Sequence, residues 1–207
     1  MLRSDLYWAL NAVLPHVGQH KGPTVGLHSH AGRLHVYACD SYTSGIARFD
    51  GPLIFDNVHL SKSEATALMR FIRPTLVAHK TENLSYALRP GELHIGITED
   101  TAVFELTEGD LRLEQLLAVM RRLSDAAPSV SELLMQPRLC EKFAKAQRDD
   151  ADRLRWHGFD AFLRYGVSLV TVGTDFIGSI AGLTDDELGS SVLYSFLQNA
   201  GEIEDVA

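Results

Sequence analysis

An α+β fold assembled from repeated units is what this sequence predicts, and three observations predict it. A helical pattern followed by a short set of strand patterns recurs at least three times along 207 residues. Turn chemistry falls between the strand candidates, as at Ala31-Gly32 and Pro90-Gly91. Charge is sorted by segment: residues 3–16, 61–74, 111–123 and 137–148, all helical in pattern, hold 11 of the 19 Lys and Arg but only 4 of the 27 acids. They sum to +7 and everything else to −15, which together make the formal −8.

The first round opens with Ser4 as a candidate N-cap and Leu6, Ala9, Leu10, Val13 and Leu14 at helical spacing, until Pro15 and Gly18 stop the pattern. Residues 24–30, 33–40 and 43–49 alternate in hydrophobicity and read as strands. The second round reads as a strand over 52–58 and a helix over 61–71. There Ser61 and Glu64 have the spacing of a capping box, and Arg73-Pro74 closes the helix. Strand patterns follow at 76–80, 84–88, 93–97 and 101–106. After a connector helix over 111–123, the third round gives a strand at 130–135 and a helix at 137–147 with Pro137 in its first turn. Strands are expected at 153–157, 161–165, 169–173 and 176–180, and a last helix at 185–197.

Composition narrows the classes. No apolar run approaches the ~20 residues that span a bilayer, and the N-terminal MLRSDLYWALNAVL carries no small-residue cleavage site, so a cytoplasmic protein without a membrane segment is expected. Cys39 and Cys140 form no C-x-x-C pair and read as buried free thiols. Residues 165–207 hold 7 acids and no Lys or Arg, so that end is no phosphate-binding surface. No glycine-rich phosphate loop, G-x-S-x-G elbow or H-E-x-x-H occurs, and no cofactor or catalytic group is expected.

The helices carry the candidate binding residues. Arg138, Lys142 and Lys145 fall at i, i+4 and i+7 on one face of their segment, which ends in Arg148, while Leu139, Phe143 and Ala146 form a neighbouring apolar stripe. Lys62, Arg70 and Arg73 share one sector of the second helix, and Ala65, Leu68, Met69 and Ile72 another. Arg121 and Arg122 end the connector helix, where cations also complement the helix dipole. Basic helices on an acidic protein suit a polyanion met by helices while the rest of the surface repels it. A solvated helix face is the plainer account of each stripe taken singly.

Several blocks resemble the bacterial DNA polymerase sliding clamp, the β subunit of the replicative holoenzyme. Residues 32–42, GRLHVYACDSY, look like its G-x-L-x-hydrophobic-x-A-T-D-x-Y/H hairpin, residues 52–71 like its strand-then-helix half repeat, and residues 131–183 like its terminal unit. The family's Met-Pro is Ala181-Gly182 here, and the acidic stretch after Leu183 has no counterpart in its pattern. The resemblance implies a DNA clamp fold: a ring with helices inside and sheets outside, made by a non-enzymatic processivity factor. Its partners would be double-stranded DNA, held without sequence preference, a DNA polymerase and a clamp loader. It also implies a partner-peptide pocket at Tyr42, Ile180 and Leu183. Residues 1–108 would supply two half repeats, and 109–207 the connector, a third half repeat and the acidic tail. Three half repeats reach the family's twelve as a tetramer, four as a trimer, in a reduced form of the kind a phage or mobile element encodes.

Two other readings stand beside it. One is a clamp-like protein that engages a host clamp or polymerase without encircling DNA. The other is a small metal enzyme built on His28 and His30, which share a strand face, with His16, His20 and His35 nearby.

Overall fold

The structure is a computed structural model that describes residues 1–18, 24–98, 100–125, 133–134, 137–157 and 165–184. Helix α1 (Arg3–Val13) leads into a short 3-10 turn at Leu14–His16. Ser4 does not cap it: the N-cap is Leu2, two residues earlier, and the Ser4 hydroxyl donates to the Lys80 carbonyl at 2.7 Å. Strands β1 (Thr24–His30), β2 (Arg33–Cys39) and β3 (Thr43–Phe49) follow as an antiparallel set. Ala31 and Gly32 join β1 to β2 with φ of 50° and 79°, the two positive values that a tight hairpin turn requires. At the β2–β3 turn the Asp40 carboxylate accepts the N–H groups of Tyr42 and Thr43 at 2.8 and 2.6 Å, the local bonding that makes Asp a turn residue.

The second unit is β4 (Val58–Ser61), α2 (Lys62–Phe71), β5 (Ser85–Arg89), β6 (Glu92–Ile97) and β7 (Asp100–Thr107). Ser61 caps α2 by accepting the Glu64 N–H at 3.1 Å, but the Glu64 carboxylate turns away to accept the Glu105 N–H, so half of the capping box forms. Helix α3 (Leu113–Asp125) connects to the third unit. That unit comprises β8 (Leu133–Leu134), α4 (Pro137–Cys140) with its 3-10 continuation Glu141–Ala146, β9 (Leu154–His157), β10 (Tyr165–Val172) and β11 (Phe176–Thr184).

Among the described residues, eleven strands make one antiparallel sheet in the order β5-β6-β7-β4-β1-β2-β3-β11-β10-β9, with β8 paired to the far end of β11. Because strand side chains alternate, the sheet sorts its helices by face. Val36, Ala47, Val170 and Ile180 join the main core with α1, α2 and Leu139, Phe143 and Ala146. Their neighbours in sequence or register, Tyr37, Ile46 and Leu169, join a separate cluster with Leu113, Leu116 and Met120 of α3. Helix α3 therefore lies on the opposite face of the sheet from the other helices. Phe143, wholly buried between His16, Trp156 and Phe176, contributes about 2–3 kcal/mol of burial to the main core.

Several expectations are corrected. Residues 52–57 are a loop, because Ser29 takes the Pro52 carbonyl and Asn57 sits at φ 48°. Residues 77–81 form a 3-10 turn, not a strand: Leu76 and Val77 are 64% and 82% exposed, and the turn is held on α1 through Lys80. The 137–147 helix tightens to 3-10 geometry after Cys140. Residues three apart superpose in that geometry, which sets Phe143 and Ala146 against the core and lets Trp8 Nε1–H donate to the Ala146 carbonyl at 3.0 Å. Cys39 is exposed rather than buried. Most of the strand expected at 161–165 and the helix at 185–197 lie outside the described residues.

Candidate nucleic-acid interface

Helix α1 is the keel of the helical face. It packs against both α2 and the 141–146 segment, and even its charged residues Arg3 and Asp5 are buried. The Arg3 guanidinium donates to the carbonyls of Ile72 and Arg73, each at 2.9 Å, and pairs with Glu82. Those carbonyls belong to the end of α2, where helix acceptors lack intrahelical partners. Asp5 pairs with Arg148, whose guanidinium lies over the Trp8 ring at 5.0 Å. Burial nonetheless pushes the Asp5 carboxyl above its ordinary range, outweighing Arg148.

The predicted cations separate into three groups. Lys62 and Arg70 are exposed on α2 and Arg73 just past its end, while Ala65, Leu68 and the C-cap Ile72 are buried. Arg138 is exposed near Pro15 and Val17, past the end of α1, and Lys145 is exposed beside Asn11 of α1, while Lys142 is half-buried against Asp40 and Thr43. Burial works to raise the Asp40 carboxyl, but the Lys142 ammonium and the N–H groups of Tyr42 and Thr43 outweigh it and hold the group below its usual range. Lys62, Arg138 and Lys142 meet across a cleft of about 430 Å³ floored by Pro15, Val17 and Leu139. Arg121 and Arg122 are exposed too, but α3 carries them on the other face of the sheet, so they do not join this surface. Arg148 is engaged in positioning: besides Asp5 it approaches Asp175 at 3.9 Å, an acid also met by Arg33 at 3.1 Å and Arg48 at 3.7 Å.

Of the three residues expected at the peptide pocket, the side chains of Ile180 and Tyr42 are described. Ile180 is wholly buried in the main core, because its register position opposite Thr43 turns it inward. The Leu183 side chain lies outside the described residues. Tyr42 is 58% exposed and lines the same cleft as Lys62, Arg138 and Lys142.

Among the histidines, His28 accepts the Asn57 N–H on Nδ1 at 3.1 Å and faces Glu114 of α3 with Nε2 at 3.2 Å. His30 stacks 6.3 Å from it, ring centre to ring centre. Among the described residues no group of three or more His, Cys, Asp or Glu is placed to hold a metal, and His20 lies outside them. No described helix is long and apolar enough to cross a membrane. The positioning residues Arg3, Asp5, Trp8 and Asp175 carried no signal in the sequence, since each is defined by a partner about 70 or more positions away. Asp40 carried one, in the A-C-D-S-Y block.

No protein-family model matches the chain, and no curated protein sequence does. Solved structures do match it. A sliding clamp from Pseudomonas aeruginosa crystallised with a ligand superposes with a TM-score of 0.64 at 11% identity, over 89% of this chain and 64% of that one. A putative DNA polymerase III β subunit from Eubacterium rectale gives 0.63 at 9%, again over 89% and 64%. The DNA polymerase III β subunit of Thermotoga maritima gives 0.62 at 9% with the same coverage. The chain has the sliding-clamp fold. It spans 64% of the length of these clamps.

Proposed function

We propose that this chain is one subunit of a closed ring that encircles duplex DNA and tethers a DNA polymerase, a non-enzymatic processivity factor acting in the cytoplasm. The observation that carries the reading is the sheet itself. Its terminal strands, β5 and β9, have no partner on their outer edges among the described residues, and α1, α2 and α4 all lie on one face. Each terminal strand also presents half-exposed apolar side chains at i and i+2, Tyr86 and Leu88 on one, Leu154 and Trp156 on the other. Open edges invite pairing, and a head-to-tail joint whose rotation closes gives a ring. In that ring the helical face looks inward, and Lys62, Arg70, Arg73, Arg138, Lys142 and Lys145 meet phosphate by diffuse charge that does not read bases. Tyr42 marks the mouth of a cleft for a partner segment.

Three half repeats per chain make twelve in a tetramer, and a fourth would make a trimer. The ring need not bind DNA tightly, because release requires opening, and a tethered polymerase rebinds at high effective concentration. The test is native mass together with retention on circular DNA. A trimer or tetramer that stays on a closed circle and slides off once the circle is cut is the expected result. A monomer that shows no such difference sinks the ring and leaves a clamp-like adaptor.

A further inference from the structure

Helix α3 and its lead-in hold to the sheet through a cluster of their own. Leu113, Leu116 and Met120 bury against Tyr37, Ile46 and Leu169, apart from the main core. Two polar ties add to that contact: His28 Nε2 faces the Glu114 carboxylate at 3.2 Å, and the Tyr37 hydroxyl lies 3.4 Å from the Leu111 carbonyl. An element held by a small separate cluster opens more readily than the core strands do. Beneath it the sheet carries histidines. The register pairs His28 with His35, and Gly26 with both Tyr37 and His59, so His28, His35, Tyr37 and His59 share the α3 face. His59 is buried under the lead-in. Its ring meets Tyr37 edge-on at 6.0 Å, its Nδ1 lies 3.2 Å from the Thr24 hydroxyl, and a Cβ on Gly109 would come within 2.4 Å of that nitrogen. His35 is buried on β2, where it and Leu117 of α3 wall a cavity of about 250 Å³ that Arg48 and Asp175 also line.

We propose that α3 is a proton-operated strap: proton uptake by His35 and His59 releases it from the sheet and uncovers the apolar strip of Tyr37, Ile46, Leu169 and Ile177. Burial holds both imidazoles below their ordinary value while the strap is down. For His35, burial, with His30, Arg48 and His28 behind it and the Arg33 backbone opposing, pushes the ring down to about 4. For His59, Arg112 adds to burial against Asp110 and the Leu111 backbone. Covered, both rings are neutral; freed to water, each takes a proton below about pH 6.5. His28 works the other way, since its charged form pairs with Glu114 and Asp56 at 3.2 and 3.5 Å. Both acids are more than half exposed, so that pull is screened. His16 packs on Phe143 of the main core and stays covered when the strap lifts. The strap does not depend on the ring.

Amide hydrogen exchange of the full chain, read peptide by peptide and corrected for the intrinsic effect of pH, tests the strap. A fall of the His35 value from 6.5 to about 4 raises the opening constant of α3 roughly twentyfold between pH 7 and 5. His59 adds to that and His28 subtracts, so a rise of at least about tenfold is expected over residues 111–123. Residues 24–49 are expected to exchange more slowly at both pH values, and α3 to respond little to low urea, the mark of local opening. His35→Gln with His59→Gln is expected to flatten the rise. A flat profile in the unsubstituted chain, exchange of α3 at the same opening constant as β1–β3, or a rise that the double variant keeps overturns the proposal. If the double variant does not fold, the comparison of α3 with β1–β3 in the unsubstituted chain decides.

Discussion

His16 makes the fold acid-labile by an amount the structure specifies. Its ring is wholly buried, 4.8 Å from Phe143 and 6.0 Å from Phe176 by ring centres, and neither nitrogen has a hydrogen-bond partner among the described residues. Burial first, and then the nearby Lys142 ammonium, push the imidazole down to about 3, against a weaker opposing pull from Asp40. A group whose folded value lies below its unfolded value of about 6.5 leaves stability intact above pH 6.5 and removes it as the pH falls toward 3, since only the unfolded chain takes the proton. At about 1.36 kcal/mol per pH unit, lowering the pH from 7 to 5 costs about 2 kcal/mol through His16. His16→Leu removes the titration and the two unpaired nitrogens. It should be more stable by about 1 kcal/mol at pH 7 and by about 3 kcal/mol at pH 5. Urea unfolding followed by tryptophan fluorescence at both pH values measures the difference. If variant and parent lose equal stability between pH 7 and 5, His16 is not buried as a neutral ring and the placement of the 141–146 segment over it is wrong.

The remaining predictions concern the sheet and the charged faces. K62E/R70E/R73E should flatten the dependence of log K on log salt by about 2.7 per subunit in contact with DNA, from 0.9 for each lost contact, whereas R121E/R122E on the far face should leave it unchanged in anisotropy titrations. Gly26→Ala would place a Cβ 2.2 Å from the Tyr37 ring, and the forced shift of this wholly buried ring should cost at least about 1–3 kcal/mol in thermal or urea unfolding. Tyr37→Phe removes the bond from the Tyr37 hydroxyl to Asn57 Oδ1 at 3.0 Å and should cost about 1 kcal/mol, with faster amide exchange in α3, which packs over that ring.

The alternation in residues 24–49, the Ala31-Gly32 turn and the Ser61 cap were legible because each is decided by neighbours in sequence. Residues 76–81 misled: Leu76-Val77 has strand composition, but residues 77–81 form a 3-10 turn that Ser4 of α1 holds through the Lys80 carbonyl. The same limit governs the candidate site. Periodicity placed Lys62, Arg70 and Arg73 on one sector of the second helix, where all three are exposed although Arg73 lies just past the end of α2, and placed Arg138, Lys142 and Lys145 on one face by α-helical spacing. The 3-10 turn that begins at Glu141 then brings Lys142 under Asp40 and leaves Lys145 exposed. Which side of the sheet a helix covers is a tertiary fact, written in the partners Tyr37, Ile46 and Leu169 of α3 and not in α3 itself.

That tertiary fact changes what the sorted charge means. The +7 carried by the helical segments divides between two faces, because residues 111–123, with Arg112, Arg121 and Arg122 against Glu114, contribute +2 on the side away from α1. Arg3, Asp5 and Arg148 are drawn into ion pairs that fasten the helices together. What remains toward the helical side is a rim on α2 and on residues 138–145, with α1 recessed between them and offering Ser4, Tyr7 and Asn11 as its half-exposed neutral positions. In the proposed ring, a surface charged at its margins and neutral along its keel would hold a polyanion by diffuse charge and not by fixed contacts.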